Sequence, residues 1–280
     1  MSVNQGLQQF LRQWYETPPG RLLYQQEKRL LEKGIRQLFG YYLVQLGCPA
    51  ELDWLQASRV SQKLVLDEVL AGQVYNRQKA VENNPDSQQD TQNHSVHFAL
   101  ADLDYLPLAK ESIDVMLLPH TLESVSDPYY LLRQVDSALV PEGHVVLTGF
   151  NPYACGIVKN RLGKQGKSLR QANLVHSRRV IEWLEVLGYE VEEVNFSTIS
   201  CYADSADDHS FLGWRLLERM ETVLNRVGLQ FGNVYCIVAR KRVDSPRLVG
   251  LSWKSQRWFN WGKAGPLAAN RQHRKTGYHR

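Results

Sequence analysis

Apolar and polar positions along this chain follow two rhythms, one proper to helices and one to strands. Leu7, Phe10, Leu11 and Trp14 recur at three- and four-residue intervals and predict a helix over 5–16, broken by Thr17-Pro18-Pro19-Gly20. Leu22, Leu23, Leu30, Leu31, Ile35 and Leu38 predict a second helix over 21–38. The runs 41–47 and 63–67 read as the first two strands, with a short helix over 52–57 between them. Residues 82–95 lack aliphatic side chains and predict an exposed loop, inserted before a third strand at 96–99.

The next fifty residues carry the plainest pattern. Residues 114–118 form an apolar run suited to a strand covered on both faces. Asp127 is placed to cap a helix whose first position is Pro128, and Leu131, Leu132, Val135 and Leu139 give it one apolar face. Pro141-Glu142-Gly143 is expected to end that helix, and Val145-Val146-Leu147 to begin another strand. So compact a strand–helix–strand unit implies a parallel pair with a right-handed crossover. Beyond it the pattern predicts a helix over 176–188 stopped by Gly188, a strand over 189–196, a helix over 208–226 and a last strand over 233–241. Strands alternating with helices make this an α/β chain of about seven strands.

At 280 residues, 43% hydrophobic and 22% charged, the chain suits one α/β domain with extensions or two small domains. No apolar run approaches the roughly 20 residues needed to span a bilayer, and the first residues lack the layout of a secretory signal. Cys48, Cys155, Cys201 and Cys236 are scattered, without metal-ligand spacing, so a reducing cytoplasm and no structural metal are expected. The net charge of +4 is unevenly divided: residues 240–280 hold eleven lysines and arginines against Asp244, so they carry +10 and the rest −6. Within that tail stand Trp253, Trp258, Phe259 and Trp261. Three readings stay open for it: RNA binding by charge and stacking, attachment to an anionic membrane surface, or aromatic packing onto the body.

The ordered set Asp102, Leu106-Pro107-Leu108, Ser112-Ile113-Asp114-Val115, His120, Leu122-Glu123, Asp127-Pro128 and Leu139-Val140-Pro141-Glu142-Gly143 resembles the second half of a class I S-adenosylmethionine-dependent methyltransferase of type 11. Continued through Gly149-Phe150-Asn151-Pro152, it is similar to a small bacterial branch of that family. The resemblance implies a Rossmann-like fold, S-adenosylmethionine as cofactor and methyl transfer to an acceptor. Together with the helical and basic flanks read above, it divides the chain into an N-terminal helical segment over 1–39, a methyltransferase-like domain over 40–242 and a basic extension over 243–280. The cofactor is then expected at Gly47 after the first strand, at Asp67 (with Glu68 as rival) for the ribose hydroxyls, at Asp102 and Leu103 for the adenine, and at Leu118. His120 and Asn151 are the expected catalytic positions at the acceptor rim.

Two departures matter. The family sets several glycines after its first strand so that backbone can approach the cofactor, whereas this chain has Leu46-Gly47-Cys48-Pro49, and Pro49 brings no N–H. Asn151-Pro152-Tyr153 lacks the second proline of the amino-group methyltransferase motif and follows the fifth strand, so it is expected only to shape the acceptor mouth. A methyltransferase-shaped binding or scaffold protein without turnover, RNA-associated through its tail, is the competing expectation.

Overall fold

The structure, a computed structural model, describes residues 3–49, 53–68, 96–154, 157, 167–197 and 232–242. Helices α1 (Val3–Trp14) and α2 (Pro18–Ile35) lead into strand β1 (Tyr42–Leu46). A 3-10 turn over Asp53–Ala57 precedes β2 (Gln62–Asp67), and β3 (Val96–Leu100) and β4 (Ile113–Pro119) follow. Then come α3 (Pro128–Ala138), β5 (Leu139–Phe150), the short α4 (Lys167–Gln171), α5 (Ser177–Val186), β6 (Tyr189–Phe196) and β7 (Val234–Lys241). The strands form one sheet in the order β3-β2-β1-β4-β5-β7-β6, with β7 antiparallel to both its neighbours and the other pairings parallel. This is the mostly parallel, Rossmann-like α/β sheet expected of a class I methyltransferase fold.

Strand alternation sorts the core into two layers. Val44, Leu46, Met116, Leu118, Val145, Leu147 and Ile237 face α3 and α5, meeting Leu131, Leu132 and Val135 on one and Val180 and Leu184 on the other. Their neighbours Leu43, Val65, Val115, Leu117, Val146 and Val238 face the opposite layer, where α2 contributes Leu31 and Ile35. Gly34 of α2 lies so close to the sheet that a Cβ there would sit 3.1 Å from Val238 Cγ2 and 3.4 Å from Val146 Cγ1.

Local chemistry fixes the ends. Asp127 Oδ1 accepts from the Tyr129 and Tyr130 N–H groups at 3.0 Å each, the N-cap predicted from Asp-Pro. Thr17 caps α2 by accepting from the Gly20 N–H. The short helix expected over 52–57 is present as a 3-10 helix at Asp53–Ala57, with Trp54 and Leu55 buried. One expectation is corrected: Pro141-Glu142-Gly143 does not separate helix from strand, because α3 ends at Ala138 and β5 already begins at Leu139. The three residues form an excursion within β5: pairing advances from Leu139 to His144 while β4 advances only from Ile113 to Val115, and Glu142 takes φ 63°. The loop expected at 82–95, the helix at 208–226 and the tail lie outside the described residues. Among the described residues no helix is long and apolar enough to cross a membrane.

Candidate functional site

Strand order reverses between β1 and β4, and an open α/β sheet has its crevice beyond the carboxyl ends of the strands at such a point. β1 is followed by Gly47, whose φ of 80° is one that a side chain would strain. Its N–H donates to the Leu66 carbonyl at 2.7 Å, and its own carbonyl accepts from Gln45 Nε2 at 2.8 Å. Trp54 Nε1 in turn donates to Gln45 Oε1, so a buried indole fixes the glutamine that fixes the turn. Asp67, at the end of β2, is buried, whereas its rival Glu68 is half-buried.

Helix α1 lies against these strand ends, and its polar side chains enter the crevice. Arg12 Nη2 donates to Asp67 Oδ2 at 2.5 Å while Arg12 Nε donates to the Cys48 carbonyl at 2.8 Å. One guanidinium therefore bridges the first two strand ends. Gln8, one helical turn earlier, is buried and donates through Nε2 to Ser124 Oγ at 3.3 Å. The amide orientation follows from the hydroxyl: Ser124 Oγ donates to the His120 carbonyl, so it must accept from Gln8. Gln8 Oε1 is left without a hydrogen-bond partner among the described residues, a burial that costs about 1–3 kcal/mol. A Cβ on Gly47 would come within 2.9 Å of Gln8 Nε2.

Behind the crevice lies a buried charge cluster. His120 Nδ1 is 2.7 Å from Glu123 Oε2, and its Nε2 is 3.3 Å from Glu27 Oε1. Glu27 also accepts from the Tyr15 hydroxyl at 2.6 Å and from Thr148 Oγ1 at 2.7 Å. Glu123 Oε1 takes the Phe150 N–H, and the Phe150 ring lies 4.0 Å, centroid to centroid, from the imidazole. Burial alone would lower the His120 pKa, but the charges of Glu27 and Glu123 and the hydrogen bond to Glu123 outweigh it and push it up to about 10. Burial would likewise raise the Glu27 pKa, and His120, Tyr15 and Thr148 hold it below the ordinary value. His120 is thus a protonated structural cation at neutral pH, its left-handed φ of 53° enforced by these contacts. The sequence places it on an accessible rim; the fold encloses it completely, because two carboxylates and a phenylalanine converge there.

The remaining positions divide. Asp102 is exposed after β3, and its Oδ1 accepts from the Asp104 N–H at 2.9 Å. Leu103 beside it and Leu118 of β4 bury their side chains in the same core layer. Asn151 is buried rather than at an open mouth; its Oδ1 accepts from the Tyr153 N–H, and its N–H donates to the Asn233 carbonyl. Gly47, Asp67 and the His120 segment therefore meet at one end of the sheet, joined by Thr121 Oγ1 donating to the Leu46 carbonyl at 2.5 Å. Sequence reading misses Gln8, Arg12 and Glu27. Glu27 was findable, since it stands four residues from both Leu23 and Leu31 on the buried row of α2.

Three comparisons bear on this architecture. Residues 60–147 match the family model described as a methyltransferase domain. A curated Escherichia coli protein, the uncharacterized YafS, is 30% identical over 184 residues; the match covers 64% of this chain and 65% of the length of that relative. Among solved structures, a possible histamine N-methyltransferase of Thermotoga maritima superposes with TM-score 0.54 at 13% identity, over 86% of this chain and 100% of the other. A putative methyltransferase of Haloferax volcanii, solved with the Trm112 methyltransferase activator, gives 0.52 at 15% identity, over 83% and 98%. At such identities the structural likeness speaks to the fold.

Proposed function

We propose that this protein transfers the methyl group of S-adenosylmethionine to an acceptor, because residues 60–147 match the methyltransferase domain model and the sheet has class I methyltransferase order. The observation that carries the reading is the meeting of Gly47 and Asp67 at the reversal of strand order. The residues present suit the cofactor. Gly47 gives close backbone approach, Asp67 offers a carboxylate suited to a ribose diol, and Gln8 Oε1 is a buried acceptor awaiting a donor. A bound sulfonium would supply an electrophilic methyl group, whose transfer to an acceptor lone pair sends the bonding electrons to sulfur and needs alignment more than a base. On this reading Asp102 and Leu103 flank the adenine, Leu118 supports the floor, and Asn151 holds the turn that shapes the acceptor side. His120 acts as a positioning residue that fixes the β4 end, since its enclosed, protonated ring is not available to take a proton.

Calorimetry of the full chain with S-adenosylmethionine and S-adenosylhomocysteine tests the reading. Binding is expected, weakened at least tenfold by Asp67→Ala and more modestly by Asp102→Ala. The absence of binding at millimolar ligand would sink the methyltransferase assignment.

Two observations favour a second reading. Pro49 removes a backbone donor from the turn, and the +10 charge of residues 240–280 suits a polyanion. On that reading the chain binds RNA and the methyltransferase fold is a scaffold. Methyl incorporation from labelled cofactor into any cellular fraction would exclude it.

A further inference from the structure

A helix outside the matched domain reaches into the crevice with two polar side chains, one of which keeps an acceptor without a partner among the described residues. Arg12 and Gln8 are one turn apart on α1 and face the same strand ends. Arg12 holds Asp67, and its Nε holds the Cys48 carbonyl. Gln8 is 4% exposed, its Nε2 committed to Ser124 Oγ and its Oε1 without a partner among the described residues. The amide stands against the Gly47 turn. In that turn Pro49 has no N–H to offer, the Gly47 N–H is spent on Leu66, and the Gly47 carbonyl already accepts from Gln45. Backbone there is poorly equipped to grip an amino acid zwitterion, whereas the helix offers one cationic fork and one buried acceptor.

We propose that α1 carries the recognition site for the amino-acid end of the cofactor, with Arg12 taking the α-carboxylate and Gln8 Oε1 accepting from the α-ammonium. This rests on the reading of the protein as one that binds S-adenosylmethionine. In the free protein Arg12 pairs with Asp67; on binding, the ribose diol takes Asp67 and the α-carboxylate takes the guanidinium. One carboxylate replaces another, so the cation is never left unpaired. A ligand with the same nucleoside but no amino acid cannot make that exchange. It must separate Arg12 from Asp67 and offers nothing in return.

The test uses two ligands, S-adenosylhomocysteine and 5′-methylthioadenosine, and calorimetry of the full chain as wild type, Arg12→Met and Gln8→Met. Circular dichroism melts verify that each variant is folded. In wild type S-adenosylhomocysteine is expected to bind at least a hundredfold tighter than 5′-methylthioadenosine. Arg12→Met should weaken S-adenosylhomocysteine tenfold or more while leaving 5′-methylthioadenosine unchanged or tighter, since Asp67 is then released to the ribose. Gln8→Met should weaken S-adenosylhomocysteine alone. Equal weakening of both ligands, or an unchanged S-adenosylhomocysteine affinity in folded variants, would overturn the inference and leave the methyltransferase reading standing. Failure of wild type to bind either ligand would overturn both.

Discussion

At the scale of single residues, His120 shows how position in sequence and position in space diverge. It follows β4, as a rim residue should, yet Glu27 from α2 and Glu123 from the next turn close over it. The strand end was legible because an apolar run followed by polar residues marks it. The enclosure was not, since it depends on a glutamate 93 positions away in sequence, from Glu27 to His120. The titration has a definite sign. The His120 pKa is raised in the folded protein from 6.5 to about 10, so its stabilisation is full below 6.5 and is lost progressively as pH rises toward 10. Glu27 is shifted downward, and its contribution is present above 4.5 and lost as pH falls through the lowered value. Urea midpoints are therefore expected to decline between pH 6.5 and 10, and Glu27→Gln should make that decline shallower while costing about 3 kcal/mol near neutrality. A decline of equal steepness in the variant would show that the cluster is not its source.

Elements were the most legible level, for reasons that differ from one to the next. α3 could be read because its cap, its first-turn proline and its apolar stripe all agree, and the structure keeps each of them. Asp127→Ala should cost about 1 kcal/mol, seen as a lowered urea midpoint with an unchanged m-value. The Pro-Glu-Gly segment differs from its expectation because turn residues signal a local bend without saying whether pairing continues through it. α1 was correctly predicted as a helix, but its pattern reveals only the apolar face. That its polar face carries Arg12 to Asp67 is decided by tertiary placement. α2 packs through Gly34, so Gly34→Leu should overfill the contact with Val146 and Val238 and destabilise by about 1–3 kcal/mol, again by urea titration.

For the whole molecule, charge is organised as clearly as hydrophobicity. A body of −6 carries an appendage of +10, which composition reveals and an average over the chain conceals. If the appendage serves a polyanion, deleting residues 246–280 should abolish retention on RNA at low salt, and retention by the shortened protein would locate binding elsewhere. The topology has a consequence of another kind, for the order in which the chain is made. β7 is inserted between β5 and β6, although it follows both in sequence. Until residues 234–241 leave the ribosome, β5 presents an unpaired edge along Val145, Val146 and Leu147, next to core that β7 covers. A nascent chain truncated before residue 234 should then depend on chaperones and aggregate without them, and the same chain extended by eight residues of β7 should not.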